Sequence, residues 1–77
     1  MERAAILVSV DPTATEKTFH SIERLLKKEN VLKYSMMVYG IYDYLFIVEC
    51  PLQKLQEIIL NIRKNKSIKQ TVTLIGV

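Results

Sequence analysis

Side chains able to do chemistry are few in this chain, and the best placed are a phenol and a carboxylate side by side, Tyr42 and Asp43. They close the stretch Val38-Tyr39-Gly40-Ile41-Tyr42-Asp43-Tyr44, a turn signal between two apolar runs. Gly40 is one of only two glycines. It stands where a hairpin needs a residue free to take positive φ. A tight turn presenting an aromatic and an acid reads as a recognition loop. The plainer alternative is equally available: Gly40 serves only the turn, and Asp43 caps free backbone amides of the hairpin.

The remaining reactive residues argue against catalysis. His20, the sole histidine, sits beside Phe19 with no sequence-fixed nucleophile and acid to complete a triad, so it reads as a solvated helix residue. Cys50, the only cysteine, ends an apolar run before Pro51 without a neighbouring cation, which suits an inert buried thiol. One Cys and one His cannot close a structural zinc site, and a lone Cys forms no disulfide within the chain. Asp11, Asp43, Glu49 and Glu57 show no pairing suited to a metal or an acid–base couple. Gly40 and Gly76 stand alone, so no glycine-rich phosphate loop exists. The chain reads as a non-enzyme without metal or cofactor.

The elements that position these residues follow from patterning. Ala4-Ala5-Ile6-Leu7-Val8-Ser9-Val10, ended by Asp11-Pro12, predicts a buried strand and a turn. Thr13 and Glu16 have capping-box spacing. Phe19, Ile22, Leu25 and Leu26 then follow at helical spacing, with charge on the other face, and Glu29-Asn30 ends the helix. Strands are predicted from about Val31 to Tyr39 and from about Asp43 to Cys50. Pro51 suits the first turn of a second helix, whose stripe is Leu52, Leu55, Ile58, Ile59 and Ile62. Asn65-Lys66-Ser67 breaks it, and Ile68 to Val77 reads as a last strand. This strand-helix-strand-strand-helix-strand order predicts an α+β, ferredoxin-like βαββαβ fold, a four-stranded antiparallel sheet with both helices on one face. Residues 1–77 read as a single domain.

The strands alternate poorly for a sheet with one wet face. In the first, Ala4, Ile6, Val8 and Val10 oppose Ala5, Leu7 and Ser9. In the third, Tyr44, Phe46, Val48 and Cys50 oppose Leu45, Ile47 and Glu49. In the second, Leu32, Tyr34, Met36 and Val38 are expected to oppose Val31, Lys33, Ser35, Met37 and Tyr39. Helices cover one face only, which leaves a large apolar patch on the other. The expectation is a closed two-fold dimer, or a larger homo-oligomer, sealed through that face. The alternative is that the extra apolar residues lie at strand edges or under the C-terminus.

Seventy-seven residues bury a marginal core, which also favours a partner subunit. No apolar stretch reaches the length of a membrane span, so an intracellular, cytoplasmic protein without membrane contact is expected. The net charge of +3 is mild. Lys27, Lys28, Lys33, Arg63, Lys64, Lys66 and Lys69 fall mostly near helix ends, where cations complement the helix dipole. They form no run of five, and Tyr44 and Phe46 lack the glycine-and-basic setting of an RNA-binding sheet. No direct nucleic-acid contact is expected.

The element order, the Gly40-Ile41-Tyr42-Asp43 turn and the closing Ile68-Lys69-Gln70-Thr71-Val72-Thr73-Leu74 strand together resemble a known domain. It is the effector-binding domain of the leucine-responsive regulators, the Lrp/AsnC family, called RAM for regulation of amino acid metabolism. The likeness runs from about Ala5 to Val77, without the helix-turn-helix domain usual in that family, as in stand-alone RAM proteins. The resemblance implies face-to-face dimers that assemble further, often into an octamer, with effector amino acids at the contacts between dimers. By the same resemblance Gly40 allows close backbone approach to a ligand. Ile41 and Tyr42 line the loop, Asp43 meets an α-ammonium group, and Thr71 and Thr73 reach the ligand from one face of the last strand. Tyr39 and Ile41 stand where the family often has smaller or more polar residues. Each residue also has a plainer role, Thr71 and Thr73 as strand formers and Tyr42 as an interface residue.

The sequence thus predicts an effector-binding and assembly module for an amino acid or similar metabolite. It would modulate transcription or amino-acid metabolism, in part through full-length Lrp/AsnC regulators. A ligand-independent assembly domain and an ACT-like regulatory domain are the alternatives. On this reading Asp43→Ala weakens amino-acid binding with little loss of fold.

Overall fold

The computed structural model describes residues 1–77. Its elements are β1 (Glu2–Val10), α1 (Glu16–Lys28), β2 (Leu32–Met37), β3 (Tyr44–Cys50), α2 (Leu52–Arg63) and β4 (Ile68–Ile75). The four strands form one antiparallel sheet in the order β2-β3-β1-β4, the expected ferredoxin-like arrangement. β1 is central, pairing Ala4 with Val48 on one side and with Ile75 on the other.

The core lies between the helices and one face of the sheet. Ala4, Ile6 and Val8 of β1 and Tyr44, Phe46, Val48 and Cys50 of β3 meet Phe19, Ile22 and Leu26 of α1 and Leu55, Ile58 and Ile62 of α2. Phe19 stacks on Phe46 at a centroid distance of 5.3 Å and meets Tyr44 edge-on at 5.2 Å. Both geometries suit the ring quadrupole. The helical stripes read from spacing are therefore buried except at their rims: Leu25 and Ile59 are half-buried, and Leu52 is exposed.

Helix α1 ends as the sequence requires. Asn30 takes φ 59°, and the N–H groups of Asn30 and Val31 donate to Lys27 and Leu26 carbonyls. This is a Schellman closure, with Val31 packed into the core beside Leu26. The start of the helix differs from expectation. Asp11 accepts from both the backbone N–H and the hydroxyl of Thr13, so Thr13 is spent on the turn. Thr15 is the N-cap instead and accepts from Lys17 N–H at 3.2 Å. Pro51 likewise stands one residue earlier than expected, as the N-cap of α2 rather than in its first turn.

Two further differences matter for the site. The connection from β2 to β3 is a loop over Val38–Asp43, closed by Val38 N–H to the Asp43 carbonyl at 2.8 Å, rather than a tight turn. In β2 the register slips between Leu32 and Tyr34. Leu32 pairs with buried Val48, whereas Tyr34 pairs with Ile47 and Met36 with Leu45 on the opposite face. The expected grouping of Leu32 with Tyr34 and Met36 is thus broken by a bulge at Lys33, which resets the alternation. The face away from the helices carries Ala5, Leu7, Leu45, Ile47, Val72, Leu74, Tyr34 and Met36, with Arg3 bridging to Glu49 at 3.0 Å at one end.

Candidate functional site

The loop between β2 and β3 is held from below at two points. Residues of even number in β1 direct their backbone groups toward β3, and the Val8 carbonyl accepts from Asp43 N–H at 2.8 Å. β3 begins only at Tyr44, so Val10 N–H has no strand carbonyl to meet. The Asp43 carboxylate supplies the acceptor, Oδ2 lying 2.9 Å from Val10 N. Ser9 Oγ donates to the Ile41 carbonyl at 3.1 Å. Asp43 therefore fastens the loop to the end of β1, a backbone role as in the plainer reading but on a neighbouring strand. Its Oδ1 has no partner within the chain.

Gly40 adopts φ +151°, and a Cβ built there would meet nothing within 4 Å. The backbone angle, not crowding, requires glycine. On either side of it Tyr39 and Ile41 project into solvent, 106% and 86% exposed, while Tyr42 is half-buried.

Below the loop lies a cavity of about 240 Å³ lined by Val10, Thr15, Glu16, Met37, Asp43 and Tyr44, among others. Its ionisable walls are two carboxylates, Glu16 and Asp43, and a phenol that burial pushes up and so keeps neutral. Tyr44 donates to the Thr15 carbonyl at 3.4 Å. Such a lining suits a cationic group, and no Lys or Arg competes for the acids there.

Thr71 and Thr73 share a face of β4, opposite Val8 and Ile6, and it is the helix-covered face. Thr71 is buried, its hydroxyl accepting from Arg63 Nε at 3.0 Å. Thr73 opens into a separate groove of about 470 Å³ between α2 and β4, lined also by Leu52, Leu55, Gln56, Ile59, Leu60 and Ile75. Within one chain the structure brings Gly40, Ile41, Tyr42 and Asp43 together on the loop. It places Thr73 in a different pocket and binds Thr71 internally. Thr15 was not singled out from sequence, and Glu16 was read only as a capping-box residue. Their position just ahead of an apolar helical stripe marks a helix start, but nothing local says that this start faces Asp43.

Other reactive groups stand apart. Cys50 is buried, and burial pushes its thiol up, away from a reactive thiolate. His20 meets Glu23 at 3.3 Å on the surface, and the Ser35 hydroxyl holds the Glu23 carboxyl below its usual range, with His20 adding to the effect. No group of three His, Cys, Asp or Glu is placed to hold a metal, and no helix is long and apolar enough to cross a membrane.

No protein-family model matches the sequence, and no curated protein matches it. Solved structures do. PHS023 from Pyrococcus horikoshii, described as a hypothetical protein, is 32% identical with a TM-score of 0.76 over 100% of this chain and 90% of its own. FFRP-DM1 is 29% identical with a TM-score of 0.78, and each chain is covered completely. Escherichia coli AsnC matches 99% of this chain with half of its own length, at 22% identity and a TM-score of 0.73. The transcriptional regulator NMB0573 from Neisseria meningitidis, solved as an L-Met complex, matches 99% of this chain with 49% of its own, at 14% identity and a TM-score of 0.73. At the last two identities the likeness is one of fold. The chain shares the fold of Lrp/AsnC regulators such as AsnC, of whose length it spans about half.

Proposed function

We propose that this chain is an effector-binding and assembly module, not an enzyme, that takes an amino acid or a similar small metabolite in the cytoplasm and acts on transcription or amino-acid metabolism through its assembly. The carrying observation is the fastened Gly40–Asp43 loop over a cavity whose ionisable walls are acidic, on the fold that NMB0573 uses in its L-Met complex. The free Oδ1 of Asp43 is the acceptor for an α-ammonium group. Gly40, Ile41 and Tyr42 shape the loop around the ligand. Thr71 and Thr73 lie outside this cavity in a single chain, so any part they play belongs to contacts between copies. The open sheet face, with Leu7, Leu45, Ile47 and Val72 at its centre, seals a two-fold dimer. Further assembly and contact with full-length Lrp/AsnC regulators follow from the same family reading, with this chain working as a single domain as PHS023 and FFRP-DM1 are matched over 90% and 100% of their lengths.

The test is a thermal-denaturation series against each of the twenty amino acids. At a free concentration one hundred times the Kd, a ligand adds about 2.7 kcal/mol. For a domain of this size that raises Tm by roughly 10–20 °C. One or a few amino acids giving such a shift support the sensor. A stable oligomer whose Tm ignores all twenty at millimolar concentration favours the ligand-independent assembly domain.

A further inference from the structure

The cavity under the Gly40–Asp43 loop is lopsided in charge. Two carboxylates, Glu16 and Asp43, line it, and no Lys, Arg or His does. Lys17, next in sequence to Glu16, lies outside the lining. Elsewhere the carboxylates of Glu23, Glu29 and Glu49 each meet a basic side chain, whereas Glu16 and Asp43 have no ion pair within the chain. Asp43 spends Oδ2 on Val10 N–H and keeps Oδ1 free.

The two acids sit on separately anchored elements. Glu16 opens α1 directly after the Thr15 cap, whose hydroxyl accepts from Lys17 N–H. Asp43 ends the loop and is fastened to the end of β1. Tyr44 joins the two sides, donating to the Thr15 carbonyl at 3.4 Å. Its ring is buried, and burial, with the Asp43 charge adding to the effect, pushes the phenol up, so it brings no charge to the cavity. The other walls are apolar, from Val10, Ala14, Met37 and Val38. The volume of about 240 Å³ is the share of about eight waters, room for a short alkyl chain.

A free amino acid brings a carboxylate along with its ammonium group. In this cavity that carboxylate meets no cation and stands against two like charges. A neutral amino acid also leaves one of the two acids without a partner. A linear chain with an ammonium at each end has neither defect. It satisfies both carboxylates and lays its methylenes on Val10 and Met37. The dipole at the start of α1 opposes a cation, and Glu16 in the first turn offsets it.

We propose that this cavity takes a short α,ω-diamine, with Asp43 Oδ1 accepting from one ammonium group and the Glu16 carboxylate from the other. This rests on the reading of the cavity as the effector site, and narrows its ligand to linear dications. Basic amino acids rank below diamines because they carry a carboxylate, and neutral and acidic amino acids rank last. Glu16 is exposed and Asp43 half-buried, so the affinity is modest and falls as salt rises.

The experiment is calorimetric titration of the parent chain at low ionic strength with diaminobutane, diaminopentane, pentylamine, aminopentanoate, lysine and norleucine. It is repeated on Glu16→Gln and Asp43→Asn. The diamines are expected to bind tightest and to weaken with added salt. Pentylamine, which lacks the second ammonium, and the Glu16→Gln chain are each expected to lose about fivefold, the worth of one exposed ion pair. Aminopentanoate, with a carboxylate at the second end, is expected not to bind. Asp43→Asn also loosens the loop, so the decisive variant is Glu16→Gln, whose side chain is exposed and whose circular dichroism is expected to match the parent. Norleucine or another neutral amino acid binding as tightly as the diamines overturns the ligand class and leaves the effector site standing. Diamine binding that Glu16→Gln leaves unchanged overturns the proposal by seating the dication elsewhere. If neither these probes nor any of the twenty amino acids binds, the class and the effector reading fall together.

Discussion

Replacing Asp43 by alanine tests whether the carboxylate holds the fold as well as any ligand. The structure gives it a definite task, accepting from Val10 N–H at 2.9 Å where β3 has ended and no strand carbonyl is present. This revises the sequence-based expectation that the substitution spares the fold. A hydrogen bond to a charged group contributes roughly 1.5–3 kcal/mol, and an orphaned amide costs a comparable amount. Val10 is half-buried, so water partly rescues its amide and the lower end applies, about 1.5 kcal/mol. For a domain of this length each kcal/mol moves Tm by roughly 4–8 °C, so the fall is about 6–12 °C. Asp43→Asn keeps an oxygen acceptor but loses the charge, which roughly halves the bond and the shift. Thermal unfolding followed by circular dichroism at neutral pH reads both. An Asp43→Ala chain melting within about 2 °C of the parent would refute the assignment of the Val10 amide to this side chain. Asp43→Asn that melts near the parent yet loses amino-acid binding isolates the ligand role from the structural one.

The remaining expectations are these. Gly40→Val forces a β-branched residue to φ +151° in open space, at a cost of roughly 1–3 kcal/mol; a synthetic chain with D-alanine at this position is expected to melt like the parent, and equal losses in the two would place the cost on crowding instead. Ile47→Asp sets a carboxylate at the centre of the open face, opposite Ala5 and Tyr34, and is expected to break the two-fold sheet contact, lowering the native mass with the far-ultraviolet spectrum unchanged. On the acid side, hydrogen bonds from Thr13, Ser35, Lys54 and Arg3 hold Asp11, Glu23, Glu29 and Glu49 below their ordinary values of 3.8 for Asp and 4.5 for Glu. Depressed carboxylates stabilise the fold above their unfolded values and lose that contribution as pH falls through the folded ones. Urea midpoints should therefore hold steady down to about pH 5 and decline below about pH 4; a midpoint that rises on acidification would contradict the sign.

Much of the architecture was legible because its causes are local. The Phe19-Ile22-Leu26 stripe, the αL-prone Asn30 and the run Tyr44-Leu45-Phe46-Ile47 each fix their own element from nearby residues. The phase of β2 was not legible. Whether Leu32 and Tyr34 share a face depends on a bulge at Lys33, and that exists only in the pairing with β3. Thr13 and Thr15 compete for one cap, and the choice turns on Asp11 reaching Thr13 first. At the site, the loop and its glycine could be read directly. The use of Asp43 could not, because the vacancy at Val10 arises from where a strand distant in sequence begins. Thr71 and Thr73 share the face expected of them, yet the Arg63 that claims Thr71 and the helix that covers both arrive through the crossover from α2 to β4.

The central place of β1 has a kinetic consequence. Its pairing with β4 brings residues near the two ends of the sequence side by side, as in the 2.7 Å bond from Gly76 N–H to the Arg3 carbonyl. Contacts of such separation form late, because the loop they close must first be ordered. During synthesis β1 emerges first with apolar residues on both faces, and it must wait for its last partner while the rest of the chain is made. Until β4 arrives, the strand that organises the whole sheet has one open flank, and a neighbouring copy can reach that flank as readily as the chain's own end.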